Sequence, residues 1–264
     1  MSLYELERAG DVDGLVSAIR TSDNPEITAR AAEMLGELDD ETRADHDVVT
    51  PLVTLAAETD EADVTAAAVD ALDRIGQAAI EELIAEMAGI ELGEDQQADW
   101  AKAKAFSKAL TADLPELRMA AANALGSLGK SDVLPQLLEA LEDGDPRVRA
   151  RAARAAGKLD DARACDALID RLEDPSGEVR RDAANALGRI GNRQALNALR
   201  GMFDDERPVV RRIAGGAMGN FGNARPVDGL IEALSDEDPS VRRTAVYSII
   251  ELLSNVPTDQ SHEI

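Results

Sequence analysis

A ten-residue pattern recurs at a fixed interval of 31 residues through the second half of the chain. Its copies begin at Leu117, Val148, Val179, Val210 and Val241, and the third copy reads VRRDAANALG. A fixed period of about 20 to 50 residues is typical of a solenoid, in which one small unit stacks on its own copy. Because stacked repeats usually serve as binding surfaces, this pattern argues against an enzyme.

Each repeat contains two predicted helices. The first has apolar residues at helical spacing, such as Leu134, Leu137 and Leu141. A turn containing Asp, and usually Pro, then starts a second helix that buries Val, two Ala and Leu. The last apolar residue of three second helices is followed by a glycine suited to a left-handed C-cap, at Gly129, Gly191 and Gly222. The pattern predicts an all-α, right-handed solenoid of about seven or eight two-helix units.

The period is broken twice in the first half of the chain. Two looser copies begin at Ile27 and Val64, and the steps from Ile27 to Val64 and from Val64 to Leu117 are 37 and 53 residues. We therefore divide the chain into four predicted parts. These are looser repeats over 1–90, an irregular insertion with a degenerate repeat helix over 91–112, regular repeats over 113–253, and a flexible tail over 254–264.

The longer break is predicted to contain a helix near 77–88, an acidic loop from Gly89 to Asp99 and a helix from about Trp100 to Leu110. In this last helix, Phe106 and Leu110 align with apolar positions of the regular repeats. We expect Trp100 and Phe106 to fill a break in the packing. The alternative for Trp100 is a ligand platform.

The recurring pattern D-P-x-V-R-x-x-A-A-x-A-L-G resembles the short HEAT repeats of the phycobilisome-lyase type, over roughly residues 11–253. That resemblance implies a HEAT-repeat solenoid. It does not imply one task, because the family includes adaptors, bilin lyases, an iron hydroxylase of deoxyhypusine and, more distantly, a DNA glycosylase.

An arginine follows the first residue of every regular repeat. Four of these arginines have an aspartate six positions earlier: Asp143, Asp174, Asp205 and Asp236. The column resembles a phosphate-binding ladder. HEAT repeats commonly use such an Asp and Arg to tie the inter-helix turn to the next layer, so the resemblance implies scaffold residues joined by charge-assisted hydrogen bonds. The arginines are Arg118, Arg149, Arg180, Arg211 and Arg242.

The residues give no sign of a catalytic centre, a metal site or a cofactor. The iron hydroxylases of the resembling family carry His-Glu shortly after the first residue of several second helices, where this chain has pairs such as Ala150-Arg151 and Arg181-Asp182. Its two histidines are His46 and His262, too few for a histidine-based metal cluster. We expect the lone Cys165 to be a buried structural thiol, because it aligns with apolar residues. A bilin-lyase-like enzyme stays a remote alternative.

The charge balance predicts a halophilic source. The net charge is −24, and lysine contributes only 5 of the 28 basic residues. A strongly acidic, lysine-poor surface is typical of proteins that must stay hydrated in concentrated salt. The first residues lack the pattern of a signal peptide, and no apolar run reaches the roughly 18 residues of a membrane span. We therefore expect a cytoplasmic protein without a membrane partner.

We expect the melting temperature to rise by several degrees when KCl is raised from about 0.1 M to the molar range, because salt screens the self-repulsion of the acidic surface. Circular dichroism melting curves at constant pH would measure this. A melting temperature that does not change with salt would contradict the halophilic interpretation.

The outward positions of the second helices form the most informative surface. Residues 2, 3, 6 and 10 positions after the start of each repeat should face the concave side, because positions 0, 4, 5, 7 and 8 are taken by the core. Over the last four repeats, these positions hold seven basic residues against Asp182 and Glu251, a net charge of +5 on a chain of −24. The basic residues are Arg151, Arg154, Lys158, Arg181, Arg189, Arg212 and Arg243.

This basic strip predicts a site for a protein partner with an acidic segment. The alternatives are a nucleic-acid backbone bound on the same strip and a solvated face balanced by neighbouring acids. Protein is favoured because the strip has one aromatic residue, and because binding to phosphates weakens steeply with salt. The oligomeric state stays open. The predicted partner-binding residues are Arg151, Arg154, Lys158, Arg181, Asn185, Arg189, Arg212, Asn220, Arg243 and Tyr247.

Overall fold

A computed structural model describes residues 3–89, 96–221 and 227–254. All regular secondary structure in these residues is helical, with no strand among them. The chain divides into two compact units, Met1–Leu128 and Gly129–Ile264. The expected all-α solenoid is confirmed, while the four-part division stays a prediction.

The first unit holds the looser repeats and the insertion. Its helices are α1 (Leu3–Ala9), α2 (Val12–Thr21), α3 (Pro25–Glu37), α4 (Asp40–Arg43), α5 (Val49–Glu58), α6 (Ala62–Ile75), α7 (Gln77–Ala88), α8 (Gln96–Ala109) and α9 (Pro115–Leu128).

The second unit holds the last four second helices, each preceded by a shorter first helix. Its α-helices are α10 (Leu134–Ala140), α11 (Pro146–Leu159), α12 (Cys165–Asp170), α13 (Gly177–Ile190), α14 (Leu196–Gly201), α15 (Pro208–Gly219), α16 (Val227–Ala233) and α17 (Pro239–Ser254). Single 3₁₀ turns flank several first helices, at Ser131–Val133, Ala162–Ala164, Arg171–Glu173, Arg193–Ala195 and Met202–Asp204.

Local sequence fixes both ends of these second helices. At the start of α11 the Asp145 carboxylate accepts a hydrogen bond from the backbone N–H of Arg147, and Pro146 occupies the first turn. Gly129 and Gly191 have the left-handed conformation predicted for C-caps, with φ of 68° and 63°. Gly222 lies outside the described residues.

Small residues let successive second helices pack closely. Helix α11 packs against α13, and α13 packs against α15. Gly188 of α13 faces Ala217 of α15 so closely that a Cβ atom on Gly188 would lie 2.6 Å from the Ala217 Cα. Gly157 faces Ala186 of α13 in the same manner. The glycine that ends the repeated pattern is therefore a contact between repeats.

The insertion differs from its prediction at Trp100. Helix α7 lies where it was expected, but α8 begins before Trp100 and therefore includes Asp99, which was assigned to the loop. Phe106 is fully buried, whereas Trp100 is 66% exposed, with the Lys104 Nζ 5.4 Å from its ring centroid. Six helical residues correspond to about 600° of rotation, so the two rings lie on different faces. The expectation that Trp100 fills a gap is wrong. Residues 90–95 of the predicted loop lie outside the described residues.

Candidate functional site

The repeated arginines form a ladder between neighbouring repeats of the second unit. In the middle rung, Nε and Nη2 of Arg180 donate to the two carboxylate oxygens of Asp205 at 2.6 and 3.1 Å, while Nη1 donates to the backbone carbonyl of Asp174 at 3.0 Å. The tie to the next layer is confirmed. The carboxylate belongs to the aspartate of the next repeat, whereas the aspartate six positions earlier accepts through its backbone. The three rungs are Arg149–Asp174, Arg180–Asp205 and Arg211–Asp236.

The ion pairs of the ladder lower the pKa values of its aspartates and raise those of its arginines, as expected for close pairs of opposite charge. Hydrogen bonding from Arg211 is the main cause that lowers the pKa of Asp236. At Asp174 burial has the largest effect and raises the pKa, but the hydrogen bonds from Arg149 and the Ser176 N–H, with the charges of Arg149 and Arg171, act in the other direction, and the pKa is lowered. The side chains of Arg211 and Asp236 are only 7% and 8% exposed. These arginines therefore serve the scaffold and do not present charge to a ligand.

The outward faces of α11, α13, α15 and α17 carry the predicted partner-binding residues, and we call this the second-helix surface. On each helix, or at its C-cap in the case of Asn220, the predicted residues are three, four or eight positions apart, which keeps them along one stripe. Lys158, Asn185, Arg189, Asn220, Arg243 and Tyr247 are exposed, while Arg151, Arg154, Arg181 and Arg212 are half-buried. The second unit thus brings these residues onto one series of adjoining helices.

Asp182 neutralises two of the predicted arginines. Its carboxylate accepts hydrogen bonds from Arg154 of α11 at 2.7 Å and from Arg181 of its own helix at 2.8 Å. The Asp182 side chain is only 4% exposed, so the assignment of this residue to the open surface was wrong. Asp182, three positions after Val179, is buried because its carboxylate pairs with Arg154 of α11. Helical register alone does not reveal this, because the partner comes from another repeat.

Arg189 also contacts a neighbouring repeat. Its Nε donates to the backbone carbonyl of Gly157 at 3.3 Å, at the end of α11. This bond is at the long end of the hydrogen-bond range, and the residue stays exposed. Arg189 therefore keeps a guanidinium that a ligand can reach.

Arg212 and Arg243 are the arginines of the second-helix surface that contact neither the ladder nor a neighbouring repeat in the described residues. In the ranges that the structure describes, neither side chain has a hydrogen bond or an ion pair. They occupy the same position of consecutive repeats, on α15 and α17. Tyr247, one turn after Arg243, is 66% exposed. An aromatic ring one turn from the unpaired Arg243 guanidinium suits a carboxylate-bearing ligand with apolar character.

The remaining candidate groups in the described ranges are one cysteine and one histidine. Cys165 is buried, as predicted, and burial raises the pKa of its thiol, which disfavours the nucleophilic thiolate. His46 Nδ1 lies 3.1 Å from a carboxylate oxygen of Asp13. Within the described part of the chain, no three His, Cys, Asp or Glu side chains are grouped to hold a metal ion. His262 lies outside that part.

Among the helices of residues 3–89, 96–221 and 227–254, none is both long and apolar enough to cross a bilayer.

Comparison with known proteins identifies the repeats. The model of the HEAT repeat family matches residues 12–89, 103–184, 134–218 and 202–258. A HEAT repeat-containing taxis protein of Halobacterium salinarum is 44% identical over 142 residues, which are 53% of this chain and 33% of that protein. The chain thus spans about a third of this relative's length. The relative comes from a halophile, which supports the halophilic origin predicted from the composition.

Solved structures share the fold at low sequence identity. The Escherichia coli protein YibA is 20% identical, with coverage of 93% of this chain and 84% of that chain and a TM-score of 0.57. A chain in the structure of Kap95p with RanGDP is 16% identical, with coverage of 97% and 38% and a TM-score of 0.56. These likenesses concern the fold alone. The repeats, their register and the family match agree, and this chain belongs to the HEAT-repeat family.

Proposed function

We propose that this protein is a non-enzymatic adaptor that binds a protein partner on the second-helix surface. The observation that carries the proposal is the group of arginines on this surface that have no ion pair in the described residues, Arg189, Arg212 and Arg243, with the exposed Tyr247 one turn after Arg243. Arg149, Arg180 and Arg211 are bound in the ladder, and Arg154 and Arg181 share Asp182. On a chain of net charge −24, an exposed positive charge without a partner destabilises the fold little, and it is available to a ligand.

The spacing of the second helices suggests the form of the partner. Packed helices lie about 8–10 Å apart, and an extended chain advances about 3.3 Å per residue. An extended segment crossing the second-helix surface therefore meets a new helix about every third residue. We expect a partner with acidic residues at that spacing, held by guanidinium–carboxylate pairs. Since the Halobacterium relative is named a taxis protein, taxis proteins of the same cytoplasm are the first candidates.

The second candidate function is binding of a nucleic-acid backbone on the same surface. Arginine pairs with phosphate as readily as with carboxylate, so the unpaired side chains alone do not discriminate. Two features favour protein. Phosphate binding weakens steeply with salt, and the acidic remainder of the chain repels DNA. An enzyme of the bilin-lyase kind has only the analogy of fold in its favour.

We expect the double substitution Arg189→Glu with Arg212→Glu to weaken partner binding at least tenfold, because each change replaces an attraction to a partner carboxylate by repulsion. Neither residue belongs to the ladder, so the fold should be retained. Affinity capture from a halophilic cell at its native salt would identify the partner. Titration of that purified partner would then measure the dissociation constant.

The matched control is Arg193→Glu with Arg207→Glu, which makes the same change in net charge. Both residues are exposed and lie in the connections between helices of the same unit. The control should capture the partner as the wild type does. Identical partner lists for the wild type and the Arg189/Arg212 variant would exclude the second-helix surface.

A titration with short duplex DNA tests the second candidate. Submicromolar affinity at low salt that falls steeply as salt is raised, and that is lost in the Arg189/Arg212 variant, would replace the adaptor proposal with nucleic-acid binding. Under the adaptor proposal we expect no such affinity.

A further inference from the structure

The carboxylate of Asp182 shows how the second-helix surface holds a negative charge. It lies in the space between α11 and α13, and we call such a space between two neighbouring second helices a notch. Arg154 of α11 and Arg181 of α13 donate to its two oxygens at 2.7 and 2.8 Å. The Asp182 side chain is only 4% exposed, so guanidinium groups from both walls replace most of the water around the carboxylate. A notch therefore accepts a carboxylate when both of its walls supply a donor.

Helices α13 and α15 pack in the same register as α11 and α13. A Cβ atom added to Gly157 of α11 or to Gly188 of α13 would lie 2.6 Å from the Cβ of the alanine that it faces on the next second helix. The ladder repeats as well, since Arg149 and Arg180 each donate through Nε and Nη2 to the aspartate 25 positions later. Matching positions of the two helix pairs are therefore placed alike.

The notch between α13 and α15 has donors on both walls and no carboxylate of its own. Asn185 and Arg212 occupy the positions of the two donors, and Ile213 occupies that of Asp182. Asn185 is exposed and Arg212 is half-buried, and in the described ranges neither side chain has a hydrogen bond or an ion pair. The asparagine side chain is shorter than that of arginine, which leaves room between the walls for a side chain of another molecule.

The other notches of the second unit do not offer this combination. Between α15 and α17, Arg243 takes the position of Arg212, but the opposite wall has Gly216, which has no side-chain donor. Between α11 and α13, both donors are bound to Asp182. Among these three notches, the one between α13 and α15 is therefore the place where two donors face each other without an acceptor.

We propose that the notch between α13 and α15 binds one Asp or Glu carboxylate of the protein partner. The carboxylate accepts hydrogen bonds from the side-chain amide of Asn185 and from the guanidinium of Arg212, and Asp182 in the preceding notch is the intramolecular counterpart of that partner residue. This inference rests on the proposed function, and it adds the place at which an acidic residue of the partner binds.

The substitution Ile213→Asp tests the site by filling it from within. It places a carboxylate next to Arg212 in the chain, as Asp182 is next to Arg181. The probe is an alanine peptide with Glu at every third residue, titrated at the lowest KCl concentration that keeps the protein folded. We expect Ile213→Asp to weaken binding of this peptide at least about tenfold. The matched control Ile213→Asn removes the same half-buried apolar side chain without adding charge, and it should bind the peptide within about threefold of the wild type.

Side-chain NMR identifies the atoms that bind the peptide. On titration of the wild type, the Nε–H signal of Arg212 and the side-chain amide signals of Asn185 should shift with one dissociation constant. The Nε–H signal of Arg180 should stay in place, because the ladder holds that group on Asp205. Asn185→Ala, at an exposed position, should weaken the peptide about fivefold through the loss of one hydrogen bond to a charged group.

The outcomes separate this notch from the second-helix surface as a whole. An Arg212 signal that does not shift with millimolar peptide, or equal binding by Ile213→Asp and Ile213→Asn, would overturn the proposed site. If Ile213→Asp lost its helical spectrum, unchanged binding by Asn185→Ala would overturn it instead. Loss of the captured partner by the Arg189/Arg212 variant, together with equal binding by the two Ile213 variants, would support the surface and reject the notch. Unchanged capture by the Arg189/Arg212 variant, with the peptide lost in Ile213→Asp alone, would reject the proposed function and support the carboxylate site.

Discussion

Replacing Arg211 by Ala is expected to lower the free energy of unfolding by about 3–5 kcal/mol, the usual effect of removing one member of a buried ion pair. Arg211 donates to both carboxylate oxygens of Asp236 in the next repeat, at 2.8 and 3.0 Å, and to the carbonyl of Asp205 at 2.9 Å. Its removal leaves Asp236 as a buried charge without its main partner. Denaturant unfolding in molar KCl would measure the loss.

Arg242 provides the matched control for Arg211. In the described part of the chain it donates to carbonyls of the turn within its own repeat, Asp236 at 2.7 Å and Glu237 at 2.8 Å, and forms no ion pair there. Because Arg242→Ala leaves no buried carboxylate behind, we expect a loss of about 1 kcal/mol, the usual value of a hydrogen-bonded group. Equal losses for the two variants would contradict the assignment of the ladder as the bond between repeats.

The difference in the free energy of unfolding between the wild type and Arg211→Ala should also depend on pH. In the wild type the pKa of Asp236 is lowered, chiefly by its hydrogen bonds from Arg211. A lowered pKa in the folded state stabilises the protein above the unfolded pKa of about 4, and this contribution is lost as the pH falls through the lowered value. We therefore expect the two unfolding free energies to converge below about pH 4.

The second large effect is expected for Gly188→Ala, which should destabilise the protein by about 1–3 kcal/mol through overpacking. The added Cβ would lie 2.6 Å from both the Cα and the Cβ of Ala217. Because one of these atoms is backbone, no side-chain rotation relieves the clash, and α13 and α15 must separate. The loss occurs even though alanine is the better helix former by about 1 kcal/mol.

Gly215→Ala is the control, since it makes the same chemical change in the middle of α15. A Cβ on Gly215 would meet its nearest neighbour, Phe203, at 3.6 Å, an ordinary van der Waals distance. We expect this variant to be more stable than the wild type by about 0.5–1 kcal/mol, because glycine loses more conformational entropy in a helix. Thermal melting of both variants gives the comparison. Stabilisation by Gly188→Ala would show that the repeats are not held at the distance described.

The fold was predictable to the level of individual helices where the period is regular. The Asp-Pro turns, the Ala positions and the glycine caps are local signals, and they placed α11 and α13 correctly. In the insertion the signal is weaker, so α8 was predicted to begin at Trp100 and the tryptophan was assigned to the core. The structure shows that Phe106 is the buried ring there.

The candidate site was predictable as a list of residues but not as a distribution of charge. Register placed Arg181 and Arg212 at equivalent positions of consecutive repeats, and both were predicted to be open to a partner. Arg181 is bound to Asp182, which also binds Arg154 of the preceding second helix, whereas Arg212 has no partner in the described ranges. The difference depends on which side chain the neighbouring helix supplies.

The 31-residue period by itself determined the two-helix unit, its stacking and the outward stripe of each second helix, because backbone geometry repeats whenever the pattern repeats. Only the tertiary structure decided which arginines are neutralised and which apolar residues stay uncovered. Ion pairs such as Arg180–Asp205 join residues 25 positions apart, and exposure at Ile250 depends on what packs against α17. The pairing of an arginine and the exposure of an apolar side chain both depend on the residues that a neighbouring repeat supplies. These residues differ from repeat to repeat, although the 31-residue spacing is constant.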